Sequence, residues 1–525
     1  METLPLISRP GAATGAAGTL ATQDYRVLQA QWATRYGAYR DEQAIWRLPD
    51  GRTLAESIFG KPRPAYKILT WGCQMNERDS EILAGQLEEM GMVPAGLLDE
   101  ADLILLNTCA VRETAEEKVF GTIGYLKVLK QQNPDLILGL CGCMAQEEAT
   151  IRRIQRYYPH VDLVFGTHNV HQLPQLIERV RREEGMVVDV WQAAEGVVEH
   201  LPSRRAGGVK AWVNIIYGCD KFCTFCIVPT TRGRERSRRP EDVIAEVEYL
   251  AAEGYKEVTL LGQNVNSYGK DLGIGFDFAD LLARLDRVPG IRWIRYTTSH
   301  PRDFTDKLIR TIAESDKVTE HFHLPVQSGS NAVLRWMNRR YTREHYLRLI
   351  EKIREAVPDA CITTDIIVGF PKETEEDFRQ TLDLVREVEY DNAFTFIYSP
   401  REGTPAARWP QLPREVKQER LERLMEVQYA INLRKNQRLV GQTAVVLIDG
   451  PSKKNPQVLS ARTRTNKLVL VPGDAGWAGR FARVEITRAQ TFTLEGRVLE
   501  LLPDSAPEIG RHGQFAPYAP LAQGA

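Results

Sequence analysis

The stretch YGCDKFCTFCIVPTTRGRERSR, residues 217–238, spaces Cys219, Cys223 and Cys226 as C-x3-C-x2-C. Thiols clustered this tightly are metal-binding or catalytic when nothing points to a disulfide framework. A structural zinc site closes its shell with four protein ligands, and no fourth Cys or His stands at ligand spacing here. Three thiolates suit a [4Fe–4S] cluster, which they leave with one open iron for a small chelating molecule. Three further cysteines, Cys73, Cys109 and Cys143, lie far apart in the chain, yet each follows a short apolar run. Read singly, each is a small buried hydrophobe; carried to one edge by the fold, they make a second three-thiolate set. In "CGC" Cys141 competes with Cys143 for the third place. Cys141 closes the apolar run LILGLC and Cys361 opens another, so burial is expected for both.

Regular elements have to bring those positions together. From Tyr66 onward, the strand-like runs YKILTW, ADLILLNTC, DLILGLCGC and VDLVFG alternate with the helical patterns RDSEILAGQLEEM, ETAEEKVFGTIGYLKVL, QEEATIRRIQRY and VHQLPQLIERVRR. This alternation predicts an N-terminal parallel α/β domain over 65–197. In such sheets ligands collect where strands end, which is where Cys73, Cys109 and Cys143 fall. After the linker HLPSRRAGGVKA a second series follows: WVNIIYG, EVTLLGQN, IRWIRYTTS, EHFHLPVQ, CITTDIIVGF and NAFTFIYS, with helical segments between. Six such units predict a partial (βα)6 barrel over 205–433, with its chemistry at the C-terminal strand ends. The Cys219 loop follows the first of these strands. Short strands with turn residues between them then predict a small antiparallel β-barrel over 436–502. Residues 1–64 show no clear core pattern and are expected to be a partly disordered extension. Residues 503–525, rich in Pro, Gly and Ala, are expected to be a tail. The fold class is therefore α/β multidomain.

The bulk numbers exclude several classes. A chain of 525 residues is too long for one core. It holds no apolar run near the ~20 residues that span a bilayer, so no membrane role is expected, and the N-terminus lacks a secretion signal. A cytoplasmic location follows, where thiols stay reduced. With a net charge of -1 the protein is not uniformly basic. Any nucleic-acid surface must be a local patch. Between Arg434 and Glu500 there are 12 Lys/Arg against 5 Asp/Glu, which marks the C-terminal barrel as basic.

Other residues gather around the first thiol set. Phe225, between its last two cysteines, either packs near a bound ring system or fills core. Pro325, Gln327 and Ser328 in HLPVQSGSN end a strand, as do Gly262 and Gln263 in LLGQN and Gly369 and Pro371 in VGFPKE. Small and polar residues there fit a ligand mouth or a simple turn, and Gly369 would let backbone approach a ligand closely. Arg232, Arg234, Arg236 and Arg238 form a dense basic run beside the thiols. Such a run reads as a solvated face or as phosphate contacts. No general base can be named; His300, His321 and His323 read as core or loop residues.

C-x3-C-x2-C after the first strand of a βα barrel resembles the radical S-adenosylmethionine signature. TWGCQMNERDSE, LNTCAVRETAEEKV, GCMAQ, YGCDKFCTFCIVPTTRGRERSR, LLGQNVNSYG, HLPVQSGSN, MNRRYTREHY, VGFPKETEEDF and SPREGTPA occur in this order. On them the chain resembles the methylthiotransferase family from about Lys67 to Leu501, and is closest to the branch making 2-methylthio-N6-isopentenyladenosine in tRNA. Gln74 and Met75 stand where other branches carry Pro-Lys or Lys-Val. The resemblance implies that Cys219, Cys223 and Cys226 hold the radical cluster and that Cys73, Cys109 and Cys143 hold an auxiliary [4Fe–4S] cluster, which favours Cys143 over Cys141. S-adenosylmethionine would lie near Phe225, Gly262, Gln263, Pro325, Gln327, Ser328, Gly369 and Pro371. The C-terminal barrel resembles TRAM, an RNA-binding domain.

The implied reaction is methylthiolation of C2 of N6-(dimethylallyl)adenosine at position 37 of tRNAs that read codons starting with U. Adenine C2 is unactivated, so a radical route is expected, with cofactors supplying the hard chemistry. Implied partners are tRNA through its anticodon stem-loop, a low-potential electron donor of flavodoxin or ferredoxin type and an iron–sulfur cluster carrier, with the enzyme a monomer. The alternatives are a methylthiotransferase for threonylcarbamoyladenosine or for a ribosomal protein and, in another class, a noncatalytic iron–sulfur RNA-binding protein.

Overall fold

The computed structural model describes residues 22–110, 113–194, 196–205, 207–510 and 515–517. They divide into two compact units. The first takes the described residues of 1–206 together with 216–220 and 227–238. The second takes 207–215, 221–226 and the described residues from 239 onward.

The first unit opens with β1 (Thr22–Asp24), α1 (Tyr25–Tyr36), the short pair β2 (Tyr39–Arg40) and β3 (Trp46–Arg47), and α2 (Leu54–Phe59). The alternating region follows as β4 (Ala65–Thr70), α3 (Gln74–Glu89), β5 (Val93–Pro94), β6 (Leu103–Thr108), α4 (Glu113–Gln132), β7 (Ile137–Gly142), α5 (Glu148–Tyr157), β8 (Leu163–Phe165), α6 (Leu173–Arg182), β9 (Val187–Asp189) and β10 (Val197–Glu199). Six of these strands form one parallel sheet in the order β5-β4-β6-β7-β8-β9. Strands β6 and β7 are buried along their whole length. This is why LILLNT and ILGLCG read as apolar runs rather than alternations: both faces of a parallel sheet are covered.

The extension expected over 1–64 is corrected in its described part. Residues 22–59 fold and pack into the core of the first unit, while residues 1–21 lie outside the described residues. The buried stripe of α1 is Tyr25, Gln29 and Trp32, at helical spacing. Its apolar period is hidden because Gln29 takes a core place by donating to Glu89 Oε2 at 2.7 Å. Tyr25 OH donates to Gln86 Oε1 at 3.3 Å, and Trp32 meets Trp46 edge to face, with centroids 6.4 Å apart. A capping box between Thr53 and Glu56 starts α2.

In chain order the next elements are β11 (Lys210–Asn214), β12 (Ile216–Tyr217), α7 (Val228–Thr231), β13 (Arg236–Ser237), α8 (Pro240–Ala252), β14 (Glu257–Leu261), α9 (Phe278–Leu285), β15 (Trp293–Tyr296), α10 (Asp306–Glu314), β16 (His321–His323), α11 (Asn331–Trp336), α12 (Arg343–Ala356), β17 (Cys361–Val368), α13 (Glu375–Val388), β18 (Asn392–Ile397) and α14 (Arg414–Gln437). Of these, β12, α7 and β13 belong to the first unit, where β12 and β13 pair antiparallel. In the second unit the six expected strands form two parallel three-stranded sheets, β11-β14-β15 and β16-β17-β18. The boundary expected between 433 and 436 falls inside α14.

The C-terminal strands are β19 (Gln442–Pro451), β20 (Val458–Thr463), β21 (Leu468–Pro472), β22 (Phe481–Ala489), β23 (Thr493–Leu502) and β24 (Phe515–Pro517). Five of them close a barrel in the order β19-β20-β21-β23-β22, back to β19. All neighbours in the ring are antiparallel except β21 and β23, which run parallel. Ala444, Val446 and Ile448 point into this barrel. Val445 and Leu447, on the other face of β19, pack with Trp293, Phe481, Leu502 and Ile509. Burial on both faces explains the unbroken run TAVVLI. The tail expected over 503–525 is corrected likewise. Ile509 is buried and its carbonyl accepts from Trp293 Nε1 at 2.9 Å, and β24 pairs with β19; residues 511–514 and 518–525 lie outside the described residues.

Arg464 fastens this barrel to the rest of the second unit. It is fully buried, grips the Glu320 carboxylate through Nε and Nη2 and donates to the carbonyls of Asp316 and Val318. Removing one partner of such a pair strands a buried charge. Arg464→Met is expected to cost about 3–5 kcal/mol in urea unfolding. Arg464→Met with Glu320→Leu, which removes both charges, should recover most of that loss.

Candidate iron–sulfur and cofactor sites

Cys73 follows β4, Cys109 follows β6 and Cys143 follows β7, three strands adjacent in the sheet. Cys73 is exposed, and Cys109 and Cys143 are buried. A polar network fixes the three strand ends. Asn76 Nδ2 donates to the carbonyls of Trp71 at 3.1 Å and Thr108 at 2.9 Å. Asn107 Nδ2 donates to the carbonyl of Asn76 at 2.8 Å, and Thr108 Oγ1 to that of Cys141 at 2.7 Å. Between Cys141 and Cys143, Gly142 has φ +87. That turn breaks the two-residue alternation of the strand, so the two thiols part. Cys141 joins the core of the sheet, while Cys143 opens a 3-10 turn beside Ala110 and Ile227.

Arg232 sits against this thiol set. Its Nε donates to Cys143 Sγ at 3.3 Å, and its Nη2 donates to Asn76 Oδ1 at 2.9 Å and lies 2.7 Å from Asp79 Oδ2. Burial disfavours its charge, but Asp79 and the Cys143 and Cys73 thiols outweigh burial and raise its pKa well above the ordinary value. Burial likewise pushes the Cys143 thiol up, and Arg232 opposes that rise. Beside Arg232 is an open cavity of about 60 Å3 whose lining includes Asp79, Thr167, His168, Tyr217 and Arg236. Burial, then Arg236 and Arg232, lower the His168 pKa to about 3.

Three of the four arginines expected as phosphate contacts are turned into the fold. Arg232, Arg236 and Arg238 are buried, and Arg238 Nε and Nη2 grip the carboxylate of Glu199. Arg234 alone of the four is exposed, and it pairs with Asp220 at 2.6 Å. Arg232 and Arg238 find carboxylates inside the fold, so the run does not form one solvated face.

Cys219 lies in the first unit, its N–H bonded to the Gly233 carbonyl at 3.0 Å. Cys223 and Cys226 lie in the second, where the segment 336–341 holds their loop. Thr224 N–H donates to the Met337 carbonyl at 3.1 Å and its Oγ1 to that of Trp336 at 2.7 Å. The buried Arg339 places Nη1 3.4 Å from Cys223 Sγ and donates from Nη2 to the Pro325 carbonyl at 2.6 Å. Lys221 and Asp303, both buried, pair at 2.7 Å.

Around this loop the candidate cofactor residues take different parts. Phe225 packs edge to face on Phe370, 6.4 Å between centroids, at the border of an apolar cluster. Gly262 is buried and Gln263 half-buried after β14. Gln327 has φ +74, and its Oε1 is buried without a hydrogen-bond partner. Such an orphaned acceptor at a strand end fits a missing polar ligand. Ser328 is fully buried and its hydroxyl meets Thr381 Oγ1 at 3.3 Å, which supports the turn. Gly369 has φ +69, and a Cβ there would meet Lys417 Cγ at 2.4 Å, so its lack of a side chain makes room for Lys417. Pro371 is buried in the same turn.

Asn76, Asp79 and Arg339 were not legible as site residues. Only the spacing of Asn76 and Asp79, three and six residues past Cys73, offered a helical-face signal.

Residues 65–166 match the family described as uncharacterized protein family UPF0004, residues 213–385 the radical SAM superfamily and residues 437–499 the TRAM domain. A tRNA-2-methylthio-N(6)-dimethylallyladenosine synthase of Desulforamulus reducens is 56% identical over 434 residues, 83% of this chain and 95% of that protein. The chain belongs to the tRNA-2-methylthio-N(6)-dimethylallyladenosine synthase family. The synthase of Geobacillus kaustophilus is 55% identical over 458 residues, 87% of this chain and 85% of that protein. Among solved structures, the radical S-adenosylmethionine methyltransferase TsrM from Kitasatospora setae aligns at a TM-score of 0.49 and 15% identity, over 66% of this chain and 75% of that one.

The chain is thus a radical SAM enzyme whose cofactors are S-adenosylmethionine and [4Fe–4S] clusters. Among the described residues no group of three or more His, Cys, Asp or Glu sits at the spacing of one metal ion. A four-iron cluster sets its thiolates on different irons, and three thiols at adjacent strand ends with a buried guanidinium beside one of them fit such a group.

Two measurements test these sites. Cys143→Ala should lower the iron of anaerobically reconstituted protein by about four per chain, whereas Cys141→Ala should leave it unchanged. The second concerns Glu373 in the VGFPKE turn, whose Oε1 accepts from Gly369 N–H at 2.9 Å and from Arg420 Nη1 at 2.7 Å. Burial raises its pKa from 4.5 to about 7, against the pull of the Gly369 N–H and Arg420. A carboxyl whose folded pKa is raised stabilises the fold fully below about 4.5, and this contribution is lost as pH rises toward 7. Over that window wild type should lose up to about 3 kcal/mol from this group. Glu373→Gln, which cannot titrate, should flatten that part of the Tm-against-pH curve.

Proposed function

We propose that this chain methylthiolates C2 of N6-(dimethylallyl)adenosine next to the anticodon, at position 37 of tRNAs that read codons starting with U. The observation that supports this reading best is the set of Cys73, Cys109 and Cys143 at adjacent strand ends under Arg232, in a chain this close to the named synthases. Cys73, Cys109 and Cys143 would hold the auxiliary cluster, and Cys219, Cys223 and Cys226 the radical cluster. When bound, the clusters and S-adenosylmethionine supply one-electron, sulfur and methyl chemistry at an unreactive aromatic carbon.

The protein's own residues bind and position. Arg232 and Arg339 each aim an N–H at a cysteine sulfur, which favours the thiolate form a cluster ligand needs. Gln327 offers its unpaired Oε1 to a polar group of the cofactor. Burial of Cys109, Cys143 and Cys223 keeps water from the thiolates. The C-terminal barrel presents Arg438, Lys453, Lys454 and Arg480 as exposed cations, suited to an RNA backbone. A low-potential donor of flavodoxin or ferredoxin type and an iron–sulfur cluster carrier complete the partners. The enzyme acts as a monomer in the cytoplasm; among the described residues no helix is long and apolar enough to cross a membrane.

The test is anaerobic reconstitution with S-adenosylmethionine, reductant and dimethylallylated tRNA, followed by nucleoside mass spectrometry. A 2-methylthio nucleoside is expected, and its absence with both clusters intact would refute the reading. Cys226→Ala should abolish the product while keeping about four irons per chain; loss of all iron would mean that the two thiol sets are misassigned.

A further inference from the structure

In the second unit the segment 221–226 is tied down almost atom by atom. Lys221 reaches the buried Asp303, Cys223 lies against Arg339, and Thr224 bonds to Trp336, Met337 and Ala406. Phe222 stands between two inward-facing neighbours and does the opposite. It is 48% exposed, and its φ is +48, a region that bulky side chains rarely occupy. Its carbonyl is held by Asn338 Nδ2 at 2.9 Å. Asn338 is itself at φ +58, and its Oδ1 accepts from Nε of the exposed Arg340 at 3.3 Å.

Two left-handed residues locked together therefore hold an aromatic ring toward solvent on the cofactor loop. Backbone strain kept in place by its surroundings marks functional sites. A half-exposed flat ring whose backbone is tied through Asn338 to an exposed guanidinium suits an unstacked base and its phosphate. Single-stranded RNA bases are bound by stacking on aromatic side chains. We propose that Phe222 is the stacking surface for the prenylated target adenine, with Arg340 placed for an adjacent phosphate. The inference rests on the tRNA reading above and adds the residue that receives the base.

The test uses the full chain with both clusters loaded and a fluorescent anticodon stem-loop carrying N6-(dimethylallyl)adenosine, with binding read by anisotropy. Phe222→Gly should weaken binding about tenfold or more, and Phe222→Trp should bind as wild type does. Because Gly takes a positive φ without penalty, iron content and Tm of Phe222→Gly should be no lower than those of wild type. Undiminished binding by Phe222→Gly would overturn the proposal. So would a joint fall of binding, Tm and iron, which would make the ring a structural prop. A wild type that neither binds nor methylthiolates the stem-loop would overturn the substrate reading and this inference together. A fully active wild type beside an unaffected Phe222→Gly would overturn this inference alone.

Discussion

A thiolate withdrawn from water needs a positive partner, and for Cys143 that partner is the guanidinium of Arg232. A buried cation is costly when uncompensated, so Arg232 also needs its own carboxylate, which Asp79 provides. The helix that supplies Asp79 and Asn76 is the one that starts at Cys73. One guanidinium thus binds the helix of the first thiol to the turn of the third, and Asn76 extends the link to the Thr108 carbonyl beside the second. The three strand ends are held by the electrostatics that make their sulfurs useful.

The same device recurs in the second unit. Arg339 is buried, lies against Cys223 and is held by the Pro325 carbonyl and the Tyr341 hydroxyl. Burial disfavours its charge, but the Tyr341 hydroxyl and the Cys223 thiol outweigh burial and raise its pKa. Each thiol set therefore has at least one fixed N–H aimed at a sulfur. Hydrogen bonds to cluster sulfurs are among the means by which a protein tunes such groups, and with the clusters bound as proposed these two arginines would be placed to do so.

Much of this was legible in the chain and some was not, for definite reasons. Strand and helix order came through because parallel strands buried on both faces leave apolar runs, as in β6 and β7. The divergence of Cys141 from Cys143 could not be read from alternation, since it depends on the left-handed turn at Gly142. The packed N-terminal segment was missed because Gln29 and two aromatics occupy its buried stripe, so burial there is achieved through hydrogen bonds as well as hydrophobicity. Gly369 gives a third reason. Its positive φ goes with a close approach to Lys417, 48 residues on, and no local pattern announces a contact at that separation.

The arginine run carries the same lesson into the recognition of RNA. Affinity for a phosphate backbone comes largely from counterions released when exposed cations meet it. Arg232, Arg236 and Arg238 are buried, and Arg232 and Arg238 already neutralise Asp79 and Glu199, so they have few counterions to exchange. Arg234 is solvated but paired with Asp220. Cations suited to that task must instead be exposed and uncommitted, as Lys453 and Lys454 are in the turn between β19 and β20. A dense charge run beside a metal loop can therefore serve the interior of the fold, as Arg232 and Arg238 do here, and density of charge in the sequence does not by itself distinguish a buried guanidinium from a solvated one.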